Sequence, residues 1–541
     1  MLANISNSFL FILFSMGILL EPVGARSECN SNVLGKNFVL GFPDNYALQN
    51  PNIQLHILLV SFNTEMTQVK LTGKFPFSNG STFGKIVSLH PGEYERVIVP
   101  SEYEIIGTEK SLKTIEIESD YKISVYAIHL EAFTTDATYQ STRNGDNTLF
   151  AILATTDNTV VTVLLSNEII YNGTTYSQGD TLTLELKRYE AVQIQSATSS
   201  LDNDLTGSIV DSNNPIAVIS GHQCANSVGS FCDVILEQSI PVNSWGTKHF
   251  YSNPPDDGDF SRFRMIAYFS NTVFTYNGTG ITLGPGEVWE DDLYGNGIIT
   301  TTQPALLVQI LIRINGSVVD PSLIQVPSEN QFTPFLGFTT PTHAGGNING
   351  FINFVNIIVK TDERPTIRLN NQSIVTANNS LPSLVKETTI SDSDYTLLIV
   401  ELPRMEALYF ITQVVDESSP MSAIVYGYER DETYGYAAGL SLPSSERFVT
   451  INPFNVRQLG GERLAISLPC ESGVIFSDVS SVKCRVGIND EELLEGEFTD
   501  LYNVVNCFTL PTFQVGFITL YVSLDAGDNF PFTGLIYIAD E

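Results

Sequence analysis

The residues best placed to do chemistry lie between Ser220 and Asp233. The run Ser-Gly-His-Gln-Cys ends at Cys224, and eight positions on, Cys232 precedes Asp233. His222, Cys224, Cys232 and Asp233 could offer nitrogen, sulfur and oxygen to a metal. The spacing speaks against it. H-x-C-x7-C lacks the paired C-x2-C knuckles of zinc sequences, and oxidation would remove both thiolates. Two cysteines this close across a Gly-containing loop pair with each other by default in an exported chain, so Cys224 and Cys232 read as a local disulfide. Ser220 beside His222 does not make a nucleophile elbow either. Val218 and His222 stand where Gly-x-Ser-x-Gly needs its glycines, and adjacent Ser and His are no triad. His222 is expected to bond locally and hold the loop.

The other chemical patterns are weaker. Gly80-Ser-Thr-Phe-Gly84-Lys85-Ile86 misses a phosphate loop by one residue between the glycines and has Ile where Ser or Thr must meet magnesium. Asp256-Asp257-Gly258-Asp259 with Glu290-Asp291-Asp292 is the best carboxylate set for calcium, against the plainer reading of solvated turns. With 60 acidic residues, no pair can be singled out for glycoside hydrolysis. No catalytic, cofactor or metal residue is assigned.

The elements that position these residues are strands. The 541 residues include 22 tyrosines and 32 phenylalanines against six methionines and two tryptophans, and turn residues abound, the balance of an all-β protein. Apolar residues at 43% and charged residues at 16% describe a chain with an ample core. The net charge of −33 disfavours nucleic acid, which needs clustered Lys and Arg, and disfavours anionic membranes. After Arg485 the chain carries no Lys or Arg.

Phe9 to Leu20 is an apolar run too short to span a bilayer, and Val23-Gly24-Ala25 suits a cleavage site, so residues 1–25 read as a signal peptide. A signal anchor is the alternative. Six cysteines (Cys29, Cys224, Cys232, Cys470, Cys484, Cys507) are the even count of an oxidised export product. Six sequons, at Asn79, Asn172, Asn277, Asn315, Asn371 and Asn378, sit beside turn residues where a glycan could stand.

Four strand-rich units repeat along the chain. QLHILLVSF from Gln54, TLFAILAT from Thr148, FRMIAYF from Phe263 and FVNIIVK from Phe354 each open a unit. Aliphatic strands close them: Ile123 to Ile128, Ile216 to Ile219, Ala305 to Ile312 and Ala423 to Tyr426. Gly92-Glu93 and Gly286-Glu287 introduce corresponding strands. A four-stranded propeller blade needs only ~40–50 residues and these units run to twice that, so four tandem β-sandwiches are expected, with a propeller-like arrangement as alternative. Ser441 to Arg447 is a change of texture.

The stretch from Asp204 to Gly246 resembles the N-terminal domain family of IgG Fc-binding proteins. The carrying residues are Asp204-Leu-Thr-Gly207, Pro215 to Ala225 with Gly221 and His222, Cys232-Asp233, Glu237-Gln238, Pro241-Val242 and Trp245-Gly246. A weaker likeness extends over about residues 35–442. The family's Asp-Ala…Leu-Gly-x-Glu-Tyr stretch is reduced here to Glu131-Ala132-Phe133…Tyr139. Residues 443–541 resemble a single Ig-like domain of the plexin and transcription-factor (IPT/TIG) type, through Val449 to Pro453, Gly460 to Leu464, Val482 to Gly487 and Val505-Asn506-Cys507. That resemblance implies a disulfide between Cys484 and Cys507. The expected domains are thus 1–25, a β-repeat region 26–442 and an Ig-like sandwich 443–541.

The resemblance implies a secreted, non-catalytic binding or adhesion module of a mucin-like protein, with an extracellular protein or glycan as ligand and further domains in a longer parent. A secreted carbohydrate-active hydrolase and a structural matrix component are the alternatives. No cofactor is required, calcium being the one cation the acidic turns suggest.

Overall fold

The structure is a computed structural model. It describes residues 7–11, 30–32, 34–45, 54–133, 147–199, 203–225, 233–276, 279–314, 316–341, 350–374, 381–413, 420–429 and 432–443. In the C-terminal part it describes 450–452, 455–457, 460–461, 463–467, 481–486, 493–499, 504–508, 516–524, 526 and 532–539. Regular structure among them is β throughout, apart from four single turns of 3-10 helix.

Each opening run becomes the middle strand of an antiparallel sheet, with its unit's closing run paired along one side. Gln54–Val60 pairs with positions 124–130 of Ile115–Phe133, and Thr148–Ala154 with 216–222 of Ile216–Ala225. Phe260–Ala267 pairs with 305–311 of Asn296–Ile314, and Ile352–Lys360 with 422–428 of Ser422–Glu429. On the other side lie Tyr94–Val99, Ala191–Gln195, Val288–Tyr294 and Tyr395–Leu402. One hydrogen bond recurs at the end of every opener: Ser61 N to Glu93 O (3.0 Å), Ala154 N to Glu190 O (3.0 Å), Ala267 N to Glu287 O (3.1 Å) and Thr361 N to Asp394 O (2.7 Å). The turn before it needs a left-handed residue, supplied by Gly92, Tyr189, Gly286 and Asp392 at φ of 71°, 71°, 75° and 59°.

A second sheet makes each unit a sandwich. In unit 1 it contains Gly35–Leu40, Thr67–Gly73, Gly84–Leu89 and the first part of Ile115–Phe133. Unit 2 uses Thr159–Leu164, Thr181–Leu186 and Ile209–Ser212. In unit 3 it holds Gly246–Ser252, Thr272–Tyr276, Thr279–Leu283 and the start of Asn296–Ile314. Unit 4 uses Leu336–Thr340, Ile367–Leu369, Gln372–Ser373 and Ala407–Gln413. In units 1 and 3 a single 19-residue strand runs through both sheets. In unit 2 the same course is cut in two at Asn213-Asn214-Pro215, whereas unit 3 carries Pro304 at the corresponding place without a break.

The units form a closed, propeller-like ring. Asp233–Gln238 packs beside Ser317–Val326, which packs beside Glu432–Ala437. Asn7–Phe11, inside the expected 1–25 leader, also pairs with the end of Ile115–Phe133 and touches Glu432–Ala437, an edge that a chain cleaved after Ala25 does not carry and on which closure does not rest. Asn30–Asn32 pairs with Ser441–Pro443, tying the start of the ring to its end. Sandwich and propeller are therefore one arrangement here. The second sheet both doubles the residues per blade and fills the wedge between one blade and the next.

Three wedges are apolar. The unit 1 core takes in Leu149, Ala151, Leu153, Ala217 and Ile219 from the unit 2 blade. In unit 3 the core takes in Phe354, Ile358, Leu397, Ile399 and Tyr426 of unit 4. The unit 4 core takes in Leu58, Val60, Tyr126 and Ile128 of unit 1. Each such leucine, isoleucine, valine or phenylalanine contributes roughly 1.5–3 kcal/mol when fully buried, so these seams hold by area. Some buried polar groups pair across or beside them. The Tyr426 hydroxyl meets Asn356 Oδ1 (3.0 Å), and the Asn356 amide donates to Ser252 Oγ (3.0 Å) and Asn253 O (3.2 Å). At the closing seam the Tyr126 hydroxyl donates to Gly337 O (3.0 Å), and Arg96 pairs with Glu406. The unit 2 core, by contrast, contains only unit 2 residues among those described.

The described strands between Thr450 and Ala539 form a separate eight-stranded sheet with its own core. Its first strand is divided: Thr450–Asn452 pairs antiparallel with Arg463–Ser467, and Asn455–Arg457 runs parallel to Phe532–Ala539. Cys484 and Cys507 are joined by a disulfide with Cα atoms 6.4 Å apart. Gly496 makes room for it, since a Cβ there would lie 3.0 Å from Cys507 Sγ and 2.4 Å from Val482 Cγ1. Removing the bond with paired Cys484→Ala and Cys507→Ala is expected to cost this domain about 3 kcal/mol, for the loop of 23 residues it closes. Urea unfolding followed by hydrogen–deuterium exchange of the peptides around Tyr521 checks this; an unchanged midpoint contradicts it.

Candidate functional site

The fourth wedge, between units 2 and 3, is polar, and the Asp204–Gly246 stretch builds most of it. Asp204 begins a tight turn in which its Oδ1 accepts from Thr206 N (2.9 Å) and Thr206 Oγ1 (2.7 Å). Its Oδ2 is thereby turned to Arg264 Nη1 of unit 3, at 3.2 Å. Arg264 is fixed from the other side by Glu290, Nε to Oε2 at 2.5 Å. Gly207, at φ +92°, lies against Gly286, at φ +75°; a Cβ on Gly207 would stand 2.2 Å from the Gly286 carbonyl oxygen. The turn is shaped to its neighbour's backbone.

Ile216–Ala225 and Asp233–Gln238 then form a hairpin whose register shifts between His222 and Ala225. Gly221 permits it, since a Cβ there would fall 1.7 Å from Ile235 O. His222 Nδ1 accepts from Cys224 N (3.0 Å), so the imidazole caps its own loop. Burial lowers its pKa, and Asp204 and Arg264 act on it in opposite directions. Cys224 is oxidised in a disulfide, which removes it as a thiolate ligand. Cys232 lies outside the described residues, as do Cys29 and Cys470. Asp233 pairs with Ala225, and the Pro215 carbonyl accepts from Thr155 Oγ1 (2.5 Å).

The unit 3 strand Ser317–Val326 clamps the end of this hairpin. The Gln325 amide donates to Gln238 O, and its Oε1 accepts from Ile240 N (3.2 Å). Burial pushes the Glu237 carboxyl well above the usual range, partly offset by a hydrogen bond with Gln325. Trp245 Nε1 donates to Ile240 O (3.0 Å), and the indole meets Tyr268 edge-on at 6.5 Å. Gly246 leaves space for Asn330 and Ser328. Burial likewise raises Asp211 to about 6, and Asp211 in turn raises the buried Tyr268.

Sequence reasoning thus located one wall of the seam and missed the other. Arg264 and Tyr268 belong to the unit 3 opener FRMIAYF, which marks a strand but not what it faces, and Gln325 comes from Ser317–Val326, which has no distinctive local pattern. Gly286 carried a signal, its Gly-Glu strand opening, which marked a turn but not the turn it meets. The proposed calcium carboxylates are spoken for. Asp256 Oδ1 accepts from Gly258 N (2.9 Å), Asp257 pairs with Lys386 (2.6 Å), Asp259 Oδ1 accepts from Gly316 N (2.8 Å) and Asp292 pairs with Arg262 (2.8 Å). Among the described residues no group of three or more metal-ligating side chains converges. Of the sequons, Asn79, Asn172 and Asn371 are exposed at turns, while Asn277, Asn315 and Asn378 lie outside the described residues.

The Asp204–Arg264 contact is part-exposed, so a double-mutant cycle with Asp204→Ala and Arg264→Ala is expected to give a coupling of about 0.5–1 kcal/mol that shrinks with added salt. Strict additivity of the two changes would remove the contact from the account.

A family model described as "IgGFc binding protein" matches residues 131–427, from the end of unit 1 through the last opener–closer pair of unit 4. A human protein, "IgGFc-binding protein" of Homo sapiens, is 27% identical over 357 residues, covering 60% of this chain and 6% of that protein. Alpha-2-macroglobulin of Escherichia coli in its trypsin-activated form is 10% identical, with 96% of this chain and 49% of that one covered at a TM-score of 0.15. Its native form is 10% identical, with 99% and 40% covered at 0.15. Scores that low carry no argument about fold. The family match spans more than half the chain and contains the whole unit 2–3 seam, so the protein belongs to the IgGFc-binding protein family.

Proposed function

We propose that the chain acts outside the cell as a non-catalytic binding or adhesion module of a mucin-like protein, with a protein or glycan as ligand. The family match over units 2 to 4 carries this reading. Fc is named for the human relative, of which this chain spans a small part, and is the first ligand to test here. Oxidised Cys224 and the Cys484–Cys507 bond fit an exported protein. The 1–25 leader and the IPT/TIG assignment of 443–541 belong to the same proposal. A net charge of −33 favours a partner with a basic face and steers it at range.

The experiment is direct binding of the purified full chain to Fc fragments and to a mucin-type glycan array, each at low and physiological salt. Saturable binding to either class, stronger at low salt, supports the module. No binding to either, with release of reducing sugar from the array, replaces it with a hydrolase.

A further inference from the structure

Three sequons fall at the same point of three different units. In unit 1 Asn79 lies between Thr67–Gly73 and Gly84–Leu89. Asn172 of unit 2 lies between Thr159–Leu164 and Thr181–Leu186, at the tip of a small hairpin in which Tyr171 pairs with Thr174. In unit 4 Asn371 joins Ile367–Leu369 to Gln372–Ser373. Each is therefore on the connection from the first to the second strand of that pair in its unit's second sheet. All three asparagines are exposed.

Turn chemistry explains the asparagine but not the rest of the pattern. Asn172 and Gly173 sit at φ 49° and 76°, and Asn370 and Asn371 at 48° and 63°, as two-residue hairpin turns require. At Asn79 the Ser81 hydroxyl also bonds the turn, but the hydroxyls two residues after Asn172 and Asn371 bond nothing among the described residues. Ser81, Thr174 and Ser373 supply these hydroxyls, with Gly80, Gly173 and Gln372, none of them proline, between. Asn79 uses only Oδ1 locally, accepting from Ser81 N (2.9 Å) and Ser81 Oγ (2.6 Å). The Nδ2 atoms of all three have no partner among the described residues. In unit 3 Tyr276 pairs with Thr279, and Asn277 between them opens Asn-Gly-Thr; it lies outside the described residues and is not counted.

We propose that Asn79, Asn172 and Asn371 are N-glycosylated, placing one glycan on the corresponding second-sheet turn of units 1, 2 and 4. The Nδ2 nitrogen forms a bond to C1 of the sugar, the C1–oxygen bond of a lipid-diphosphate-linked oligosaccharide breaks, and the lipid diphosphate leaves as the amide gives up one proton. The glycans sheathe one repeated flank of the ring and turn partner contact towards its other surfaces. This rests on the export reading, because the donor is met only on that route.

The test is enzymatic deglycosylation of the secreted full chain in 18O-water, followed by peptide mass spectrometry. Asn79, Asn172 and Asn371 are expected to become 18O-labelled aspartate in nearly all molecules. A parallel sample kept in 18O-water without the glycosidase stays unlabelled at Asn79-Gly80 and Asn172-Gly173, which separates glycan removal from spontaneous deamidation. Asn158, exposed at φ 58° with Val160 two residues on, stays unlabelled in both. A secreted chain with Cys484–Cys507 intact and any of the three unlabelled overturns the proposal and leaves export standing. A chain kept in the cytosol with reduced cysteines overturns both.

Discussion

Gly221→Ala is expected to destabilise the ring by about 3 kcal/mol or more, with a matching fall in secreted yield. One methyl group is added, but it arrives 1.7 Å from Ile235 O, 2.7 Å from Ile235 C and 3.0 Å from Leu236 Cα. All three are backbone atoms of the paired strand, so no side-chain rotation relieves the overlap. Either the hairpin Ile216–Ala225/Asp233–Gln238 separates or both strands shift. Shifting moves Gln238 and Ile240 away from Gln325, and with them the clamp between units 2 and 3. Gly221 has no left-handed backbone, so the cost is collision alone. Urea denaturation of both proteins measures it; a loss below about 1 kcal/mol would mean the hairpin relaxes freely and the seam does not depend on it.

Acid should destabilise the ring through His56 and His249. Both are buried, and burial lowers each pKa from 6.5 to about 4; Arg96 lowers His56 further, while a hydrogen bond with the backbone of Ala305 partly opposes the fall at His249. A lowered histidine pKa means that the unfolded chain binds the proton first. Stability is therefore complete above about pH 6.5 and is lost as pH falls towards 4, by roughly 3 kcal/mol for each histidine at one order of magnitude. Asp211, raised to about 6, works in the opposite sense, being most favourable below its ordinary value near 3.8 and losing stability as pH rises through 6. The histidine contribution is isolated by comparing wild type with His56→Gln/His249→Gln between pH 7 and 4. The variant should lose several kcal/mol less over that range. Parallel curves would show that neither imidazole is held neutral by burial.

The repeat was legible because openers and closers are runs of aliphatic residues, and strands buried on both faces read as such. Their pairing gave the blades. The turn before the third blade strand was legible only in units 1 and 3, where Gly92 and Gly286 hold the left-handed position. In units 2 and 4 Tyr189 and Asp392 hold it, and no residue-type pattern survives. The ring itself was beyond local reading, since alternation along a strand shows that both faces are covered but not by which neighbour. The Asp204–Trp245 motif stood out for a structural reason: its glycines, caps and ion pair fit unit 2 to unit 3 at the seam that apolar area does not close. Arg264 and Tyr268 sit in the opener FRMIAYF, which marks a strand and not its partner across the seam, and Gln325 has nothing local to mark it.

Closure of the ring rests most directly on Arg96 and Glu406, which lie 310 positions apart and pair across units 1 and 4. A double-mutant cycle with Arg96→Ala and Glu406→Ala measures whether these units meet. The ring predicts a coupling of about 1 kcal/mol or more, because both side chains are largely buried. Four units strung out in a line predict none, and strict additivity of the two changes would contradict the ring.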